Sequence, residues 1–327
     1  PINAPMAQVH NNQRDGMHRQ AVHRGRVSYE PNSLGGGCPF QAGAAGFTSF
    51  PQPVEGDKVR AKPEKFAEHY AQAKLFWSSQ SAAEQRHIIK AFRFELTRVQ
   101  TPAIRQRVVS LLANVDDLLA ESVAEGLGFE VPDPAPDLGL VEKIDYAPSP
   151  ALSMTAYPGD GSIRTRRVAI LAADGVDVGA LSKIYDVLLQ QGAVPRVLAP
   201  KLGAVKGADG KAANGWQADI TIDAAPSALY DALIVAPGDA SAISLCENGL
   251  AIEFVKDQYR HCKPILVVDT GAELIDRAGL PTVLPTGDVD FSLINVAGDQ
   301  LNEGLAQFIQ ALGGPRELDR ETDPPVV

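Results

Sequence analysis

The stretch KPILVVDTGAELI, Lys263 to Ile275, constrains the fold of this chain more than any other. Four consecutive apolar residues, Ile265 to Val268, stop at Asp269-Thr270-Gly271, and a helix-compatible run follows at once. Such a sequence reads as a buried strand feeding a tight turn into a helix. The same alternation extends over the whole region from Arg166 to Val327. Val168 to Ala173 reads as a strand, and Val178, Leu181, Ile184 and Leu188 mark a helix ending at Gly192. Arg196 to Ala199 is the next strand, Asp209-Gly210 a hairpin turn, Ile220 and Ile222 a short strand, and Ala232 to Ala236 a buried strand ending at Pro237-Gly238. Ile252, Val255 and Tyr259 line another helix, and Leu301, Leu305, Phe308 and Leu312 line the last one, closed by Gly313-Gly314-Pro315. Strand and helix in alternation predict a mostly parallel sheet covered on both faces, an α/β domain over 166–327.

The residues before it follow other rules. Residues 1–62 carry almost no hydrophobic periodicity and much Gly, Pro, Asn, Gln and Arg, which predicts an extended segment that wraps a surface. Residues 63–128 read as an all-α helical domain. Phe66, Tyr70 and Trp77 fall at near-helical spacing, Ser81 and Glu84 form a capping box, and Ile88, Phe92, Leu96 and Val99 make one apolar stripe. Thr101-Pro102 supplies an N-cap and a first-turn proline for a helix whose stripe runs through Ile104, Val108, Leu111, Val115 and Leu118, with Gly126 and Gly128 as terminators. Residues 129–165, with PDPAPD at 132–137, read as a semi-rigid linker.

Charge and cysteine usage exclude several classes. Forty acidic against thirty basic residues give a net charge of -10, which works against binding nucleic acid or an anionic membrane. No apolar run is long enough to span a bilayer. Cys38, Cys246 and Cys262 are odd in number and widely spaced, so neither a disulfide framework nor a zinc site is expected. A reducing compartment, the cytoplasm, is expected, and the chain opens PINAP without a methionine.

Candidate chemistry centres on carboxylates. Asp269 at the elbow could act as acid, base or metal ligand, or could cap the following helix. Asp174 and Asp177, after the first strand of the domain, could meet it above the sheet or could cap the helix that begins there. A hydrolase or lyase using Asp269 and Asp177 is one reading of that set. Cys246 and Cys262 read as packed thiols. His10, His18 and His23 lie close in sequence without the spacing of a helical ligand pair, and His87 reads as a partly buried, satisfied histidine. Gly35-Gly36-Gly37 is a weak glycine signal in a loop. No GxGxxG follows a strand and no GxxxxGKS/T occurs, so nucleotide binding has no support.

Three ordered peptides in the first segment are specific. Pro1-Ile2-Asn3, Asn12-Gln13-Arg14-Asp15-Gly16 and Tyr29-Glu30-Pro31-Asn32-Ser33, followed by LFWSSQSAAEQRHIIKAFRFEL, resemble the part of a haem catalase that follows its haem-binding helix. The appended domain resembles the C-terminal domain of the large-subunit branch, which is flavodoxin-like and related to the DJ-1/PfpI group. The resemblance implies a parent enzyme that dismutates hydrogen peroxide on haem, as a cytoplasmic homotetramer active against oxidative stress. The family's distal His and Asn and its proximal tyrosine, within RxFxYxDxQ, are expected upstream of Pro1. No catalytic, cofactor-binding or metal residue is therefore carried over to this chain, which is expected to hold no haem and to be inactive alone. The DJ-1/PfpI elbow normally bears Cys, often followed by His, whereas Asp269 and Thr270 stand here, with Asp177 near the position of the assisting Glu. Thiol chemistry is thus expected to be lost. A non-enzymatic, chaperone-like interaction module is the alternative expectation.

Overall fold

The computed structural model describes residues 51–62, 64–136, 145–210 and 212–327. Residues 1–62 and 63–327 form two compact units. In the first, residues 51–62 are exposed and carry no helix or strand; the expected wrapping segment and the clustered histidines otherwise lie outside the described residues.

The second unit begins with four α-helices. Helix α1 spans Ala71–Ser78, α2 Ala82–Arg98, α3 Pro102–Leu112 and α4 Asp117–Leu127. Helix α2 starts at the capping box: the Ser81 hydroxyl accepts from the Glu84 amide, and the Glu84 carboxylate accepts from the Ser81 amide at 2.8 Å. Thr101 occupies the N-cap position of α3 without a side-chain bond, so the proline after it does the starting. The expected stripe through Ile104, Leu111 and Leu118 is incorrect, because those three side chains are 43, 43 and 57% exposed. The core here is built from Trp77, Leu96, Val109, Leu112, Leu119, Ala120, Val123 and Ala124. The chain breaks at Ala113 to Asp116 and restarts with Asp116 capping α4 through the Leu119 amide at 3.0 Å, so a period counted across the break loses its phase. Gly126 lies inside α4 and does not end it. A Cβ there would lie 2.3 Å from Nε of Arg93, whose guanidinium crosses at that point to reach the Ser122 carbonyl at 2.7 and 2.9 Å.

The proline-rich connection is fastened at both described ends to these helices. On one side Ser110 and Asn114 donate to the carbonyls of Asp133 and Ala135. On the other, the Glu84 carboxylate accepts from the Ser153 hydroxyl at 2.8 Å and the Met154 amide at 2.7 Å, and Ser79 accepts from the Ser149 amide. Partial desolvation pushes the Glu84 carboxyl up, but its backbone bonds from Ser81 and Met154 and its hydroxyl bonds outweigh this and lower it from 4.5 to about 2.

From Arg167 the chain builds a six-stranded, wholly parallel sheet in the order β5-β2-β1-β6-β7-β8. Its strands are β1 (Arg167–Leu171), β2 (Val194–Ala199), β5 (Ile220–Thr221), β6 (Ala232–Val235), β7 (Ile265–Val268) and β8 (Leu293–Val296). A hairpin, β3 (Gly203–Lys206) with β4 (Ala212–Ala218), is inserted after β2 and turns at Gly207 to Gly210. Trp216 fixes it to the sheet's helical cover by donating to the Ser182 hydroxyl at 3.0 Å and standing edge-on to Tyr185. Successive strand residues point to opposite faces. Val168, Ile170, Ile234 and Leu266 pack with α5 (Val178–Gln190) and α9 (Leu301–Gly313), while Ala169, Leu171, Leu233 and Val267 pack with α6 (Asp239–Cys246), α7 (Gly249–Arg260) and α8 (Ala272–Ala278). Helices on both faces explain why three of these strands, β1, β6 and β7, read as uninterrupted apolar runs.

The tail after α9 is locked by charge. Arg320 and Asp290 are both buried; Nε and Nη2 of the guanidinium donate to the two carboxylate oxygens at 2.7 and 2.9 Å, and Nη1 donates to the Lys263 carbonyl at 2.7 Å. The guanidinium also lies 4.6 Å from the Tyr259 ring centre. Farther along, Glu321 meets Nε2 of His87 at 2.7 Å and Asp323 meets Arg93 at 2.6 Å, tying the tail to α2. His87 is thus satisfied by the Glu321 carboxylate but exposed instead of partly buried.

Two outcomes are expected. Arg320→Ala leaves a buried carboxylate without its cation and should cost about 3–5 kcal/mol in denaturant unfolding, with Arg320→Lys recovering only part because one ammonium cannot span three acceptors; a loss under about 1 kcal/mol for the alanine variant would contradict the assigned pair. Because the Glu84 pKa is lowered on folding, its stabilisation is complete above pH 4.5 and is lost as pH falls towards 2. The stability gap between the native chain and Glu84→Gln should therefore narrow over that range, and a constant gap in acid melts would exclude the role.

Candidate functional site

The sheet order reverses between β1 and β6, which is where open α/β sheets bind ligands at their carboxyl ends. A cleft of about 760 Å³ lies there. It is bounded by the turn after β1 (Gly175 to Gly179), the hairpin turn (Gly207 to Asp209), the turn after β6 (Pro237 to Ala240) and Asp269-Thr270. The Asp177 amide donates to the Pro237 carbonyl at 2.8 Å, which joins the first of these turns to the third.

Asp269 has φ of +48°, a left-handed conformation unusual for a side-chain-bearing residue outside strained turns. The sharp strand-to-helix elbow expected from the sequence is present. The expected helix cap is not: α8 starts at Ala272 after Gly271, with no side-chain cap. Asp269 instead reaches sideways, and its Oδ1 accepts from the Gly298 amide at 2.6 Å. A Cβ on Gly298 would stand 2.4 Å from Oδ2, so glycine is required for that approach.

Asp177 caps α5 through the Ala180 amide at 3.0 Å and lines the cleft with Asp269. Asp174 does not line it. Its carboxylate turns to the hairpin, accepting from the Lys206 amide at 3.0 Å and the Lys201 ammonium at 3.2 Å. Burial alone would push the Asp174 carboxyl up; those two donors outweigh it and hold the group below its ordinary value. Two lining carboxylates were not assigned to the site from sequence: Asp209, read only as a hairpin-turn residue, and Asp239 at the start of α6, whose signal is its position just after Pro237-Gly238 at the end of a buried strand.

No Cys or His lines the cleft among the described residues. Cys262 is buried and burial pushes its thiol up to about 11, while burial and then the Glu273 carboxylate raise Cys246. Neither is a ready thiolate. Among the described residues no group of three His, Cys, Asp or Glu side chains could hold a metal ion. The cleft keeps an elbow geometry suited to a nucleophile but presents carboxylates, with the one on the elbow already bonded to a backbone amide.

Comparison with known proteins places this architecture. The family described as the C-terminal domain found in long catalases matches residues 164–321, and the family described as catalase-related immune-responsive matches residues 63–127. The chain belongs to the large-subunit catalases, and its α/β domain is the C-terminal domain of that family. It is 41% identical to Catalase HPII of Mycobacterium avium over 99% of this chain, 39% identical to Catalase HPII of Pseudomonas putida over 98%, and 34% identical to Catalase-2 of Bacillus subtilis over 98%. It spans 46, 43 and 44% of those relatives, less than half their length.

Neither buried tyrosine offers haem a ready phenolate. The two tyrosines held in the sheet's core, Tyr230 and Tyr259, have their hydroxyls pushed up by burial and lie against Phe254 and Arg320, with ring centres 5.7 Å from the Phe254 ring and 4.6 Å from the guanidinium. Among the described residues, no helix is long and apolar enough to cross a membrane.

Asp269→Gly and Asp269→Ala both remove the carboxylate and differ in whether a Cβ must sit at φ of +48°. The glycine variant should be the more stable by about 1 kcal/mol; equal unfolding midpoints would exclude strain at the elbow.

Proposed function

We propose that this chain is the supporting C-terminal portion of a haem catalase whose parent dismutates hydrogen peroxide to water and oxygen. The observation that carries the reading is the succession along one chain of two catalase family matches, at 63–127 and 164–321. In this reading residues 1–62 wrap the parent's surface, 63–128 form its helical domain, 129–165 connect, and 166–327 form a flavodoxin-like domain that supports a homotetramer. The strand order favours that comparison: without the two-residue edge strand β5, the remaining order β2-β1-β6-β7-β8 is the flavodoxin-like one. The residues that hold haem and act on peroxide belong to the part of the relatives that this chain does not span. The parent is cytoplasmic, and this chain contributes no catalytic, haem-binding or metal-binding residue of its own.

The elbow supports inactivity on chemical grounds. A carboxylate is a poor substitute for a thiolate as an acyl nucleophile, and no Cys or His lines the cleft among the described residues. Titrating the purified chain with haemin should give no Soret band of a protein-bound haem and no oxygen release from peroxide. A Soret band accompanied by catalytic oxygen evolution would overturn the proposal.

A further inference from the structure

We infer that Lys263 is a proton-sensitive clasp: the folded α/β domain is built around its neutral amine, and mild alkali tightens the domain by removing its proton. The residue lies just before β7, is 2% exposed, and reaches the turn Ser227–Leu229 that leads into β6. There its Nζ donates to the Ser227 carbonyl at 3.1 Å and to the Ala228 carbonyl at 3.5 Å.

The number of acceptors favours the amine. An ammonium carries three N–H donors and a neutral amine two. Among the described residues the two carbonyls are the only acceptors that Nζ bonds. The Gln258 amide beside them does not take the third donor: its Nε2 donates to the same Ser227 carbonyl at 2.8 Å, and its Oε1 is buried without a partner. The protonated side chain thus keeps one N–H unpaired away from water, a cost that the amine escapes.

The surrounding charges do not compensate. No carboxylate lies within ion-pair distance of Nζ among the described residues. Asp257 on α7 and Asp231 before β6 attract the ammonium from farther off, but they serve Arg260 at 3.6 Å and Arg166 at 3.4 Å, and Arg316 of the tail repels it. Arg320, bonded to the Lys263 carbonyl, is neutralised by Asp290. The other titratable neighbours are kept neutral by burial, which raises Tyr259 and Cys262 and lowers His261.

A buried ammonium without a counter-ion favours the unfolded chain, where water solvates it. Burial first, and then Arg316, lowers the Lys263 pKa from 10.5 to about 8. Between those values the unfolded chain binds more protons than the folded one, so the folded state gains as pH rises from about 8 to 10.5 and keeps the gain above it. Each pH unit inside that window changes the folding equilibrium by up to about tenfold.

Denaturant unfolding of the 327-residue chain and of Lys263→Met, at about pH 7.5 and about pH 10.5, tests the inference. Tyrosines and the other thiols and lysines titrate in both chains and cancel in the comparison. The folding equilibrium of the native chain should improve relative to the variant by on the order of a hundredfold across the interval; a relative gain under about tenfold would overturn the inference. A second readout needs no variant. The Lys263 Cε resonance in carbon-13 NMR, assigned through its backbone, should titrate more than about one pH unit below those of the exposed lysines. A midpoint among theirs would overturn the inference even where Lys263→Met does not fold.

Discussion

The buried pair of Arg320 and Asp290 is the interaction on which the arrangement of the second unit turns. It joins the tail to the segment before β8, and through the Lys263 carbonyl and the Tyr259 ring it joins both to the start of β7 and the end of α7. A buried ion pair is not a dependable source of net stability, because desolvation offsets much of its attraction. Its effect here is positional: three acceptor oxygens on two segments fix one planar guanidinium, and few other positions of the tail would satisfy all of them. Lys263 completes the cluster from the other side. Its ammonium donates to the Ser227 and Ala228 carbonyls, and burial, followed by the nearby Arg316 charge, brings its pKa down to about 8.

The parts of the fold that could be read from sequence are those set by local chemistry. The capping box at Ser81 and Glu84, the Asp177 cap, the hairpin turn at Asp209-Gly210 and the alternation of strand and helix after Arg166 each depend on residues a few positions apart. The buried face of α3 was not legible, because a break of four residues at Ala113 to Asp116 resets the helical phase and the apolar period was counted through it. Nor was the service of Glu84 to Ser153 and Met154, about seventy residues ahead, visible in a proline-rich stretch that reads as a spacer. Arg320 and Asp290 gave no signal at all, since each is one charged residue among many.

The candidate site was legible in position and only partly in chemistry. The abrupt end of an apolar strand at Asp269 marks the elbow, and Asp177, which caps α5, lines the same cleft. What Asp269 bonds to depends on an amide 29 residues farther on, presented by a glycine whose need is steric. Helix capping is the common fate of an aspartate in that context, and a left-handed backbone at the residue itself turned the carboxylate elsewhere. The elbow has kept its shape while its side chain has become part of the loop packing.

The tail's bonds to α2 bear on the order of events during synthesis. Arg93 and His87 find their partners Asp323 and Glu321 more than two hundred residues later in the chain, at separations of 230 and 234. Helices α1 to α4 therefore leave the ribosome long before the residues that clasp them exist, and contacts of such separation carry the loop-closure cost that slows folding. The early helices must hold together on their own core of Trp77, Leu96, Val109 and their neighbours in that interval. The clasp of the tail on α2 can close only after both partners have been made.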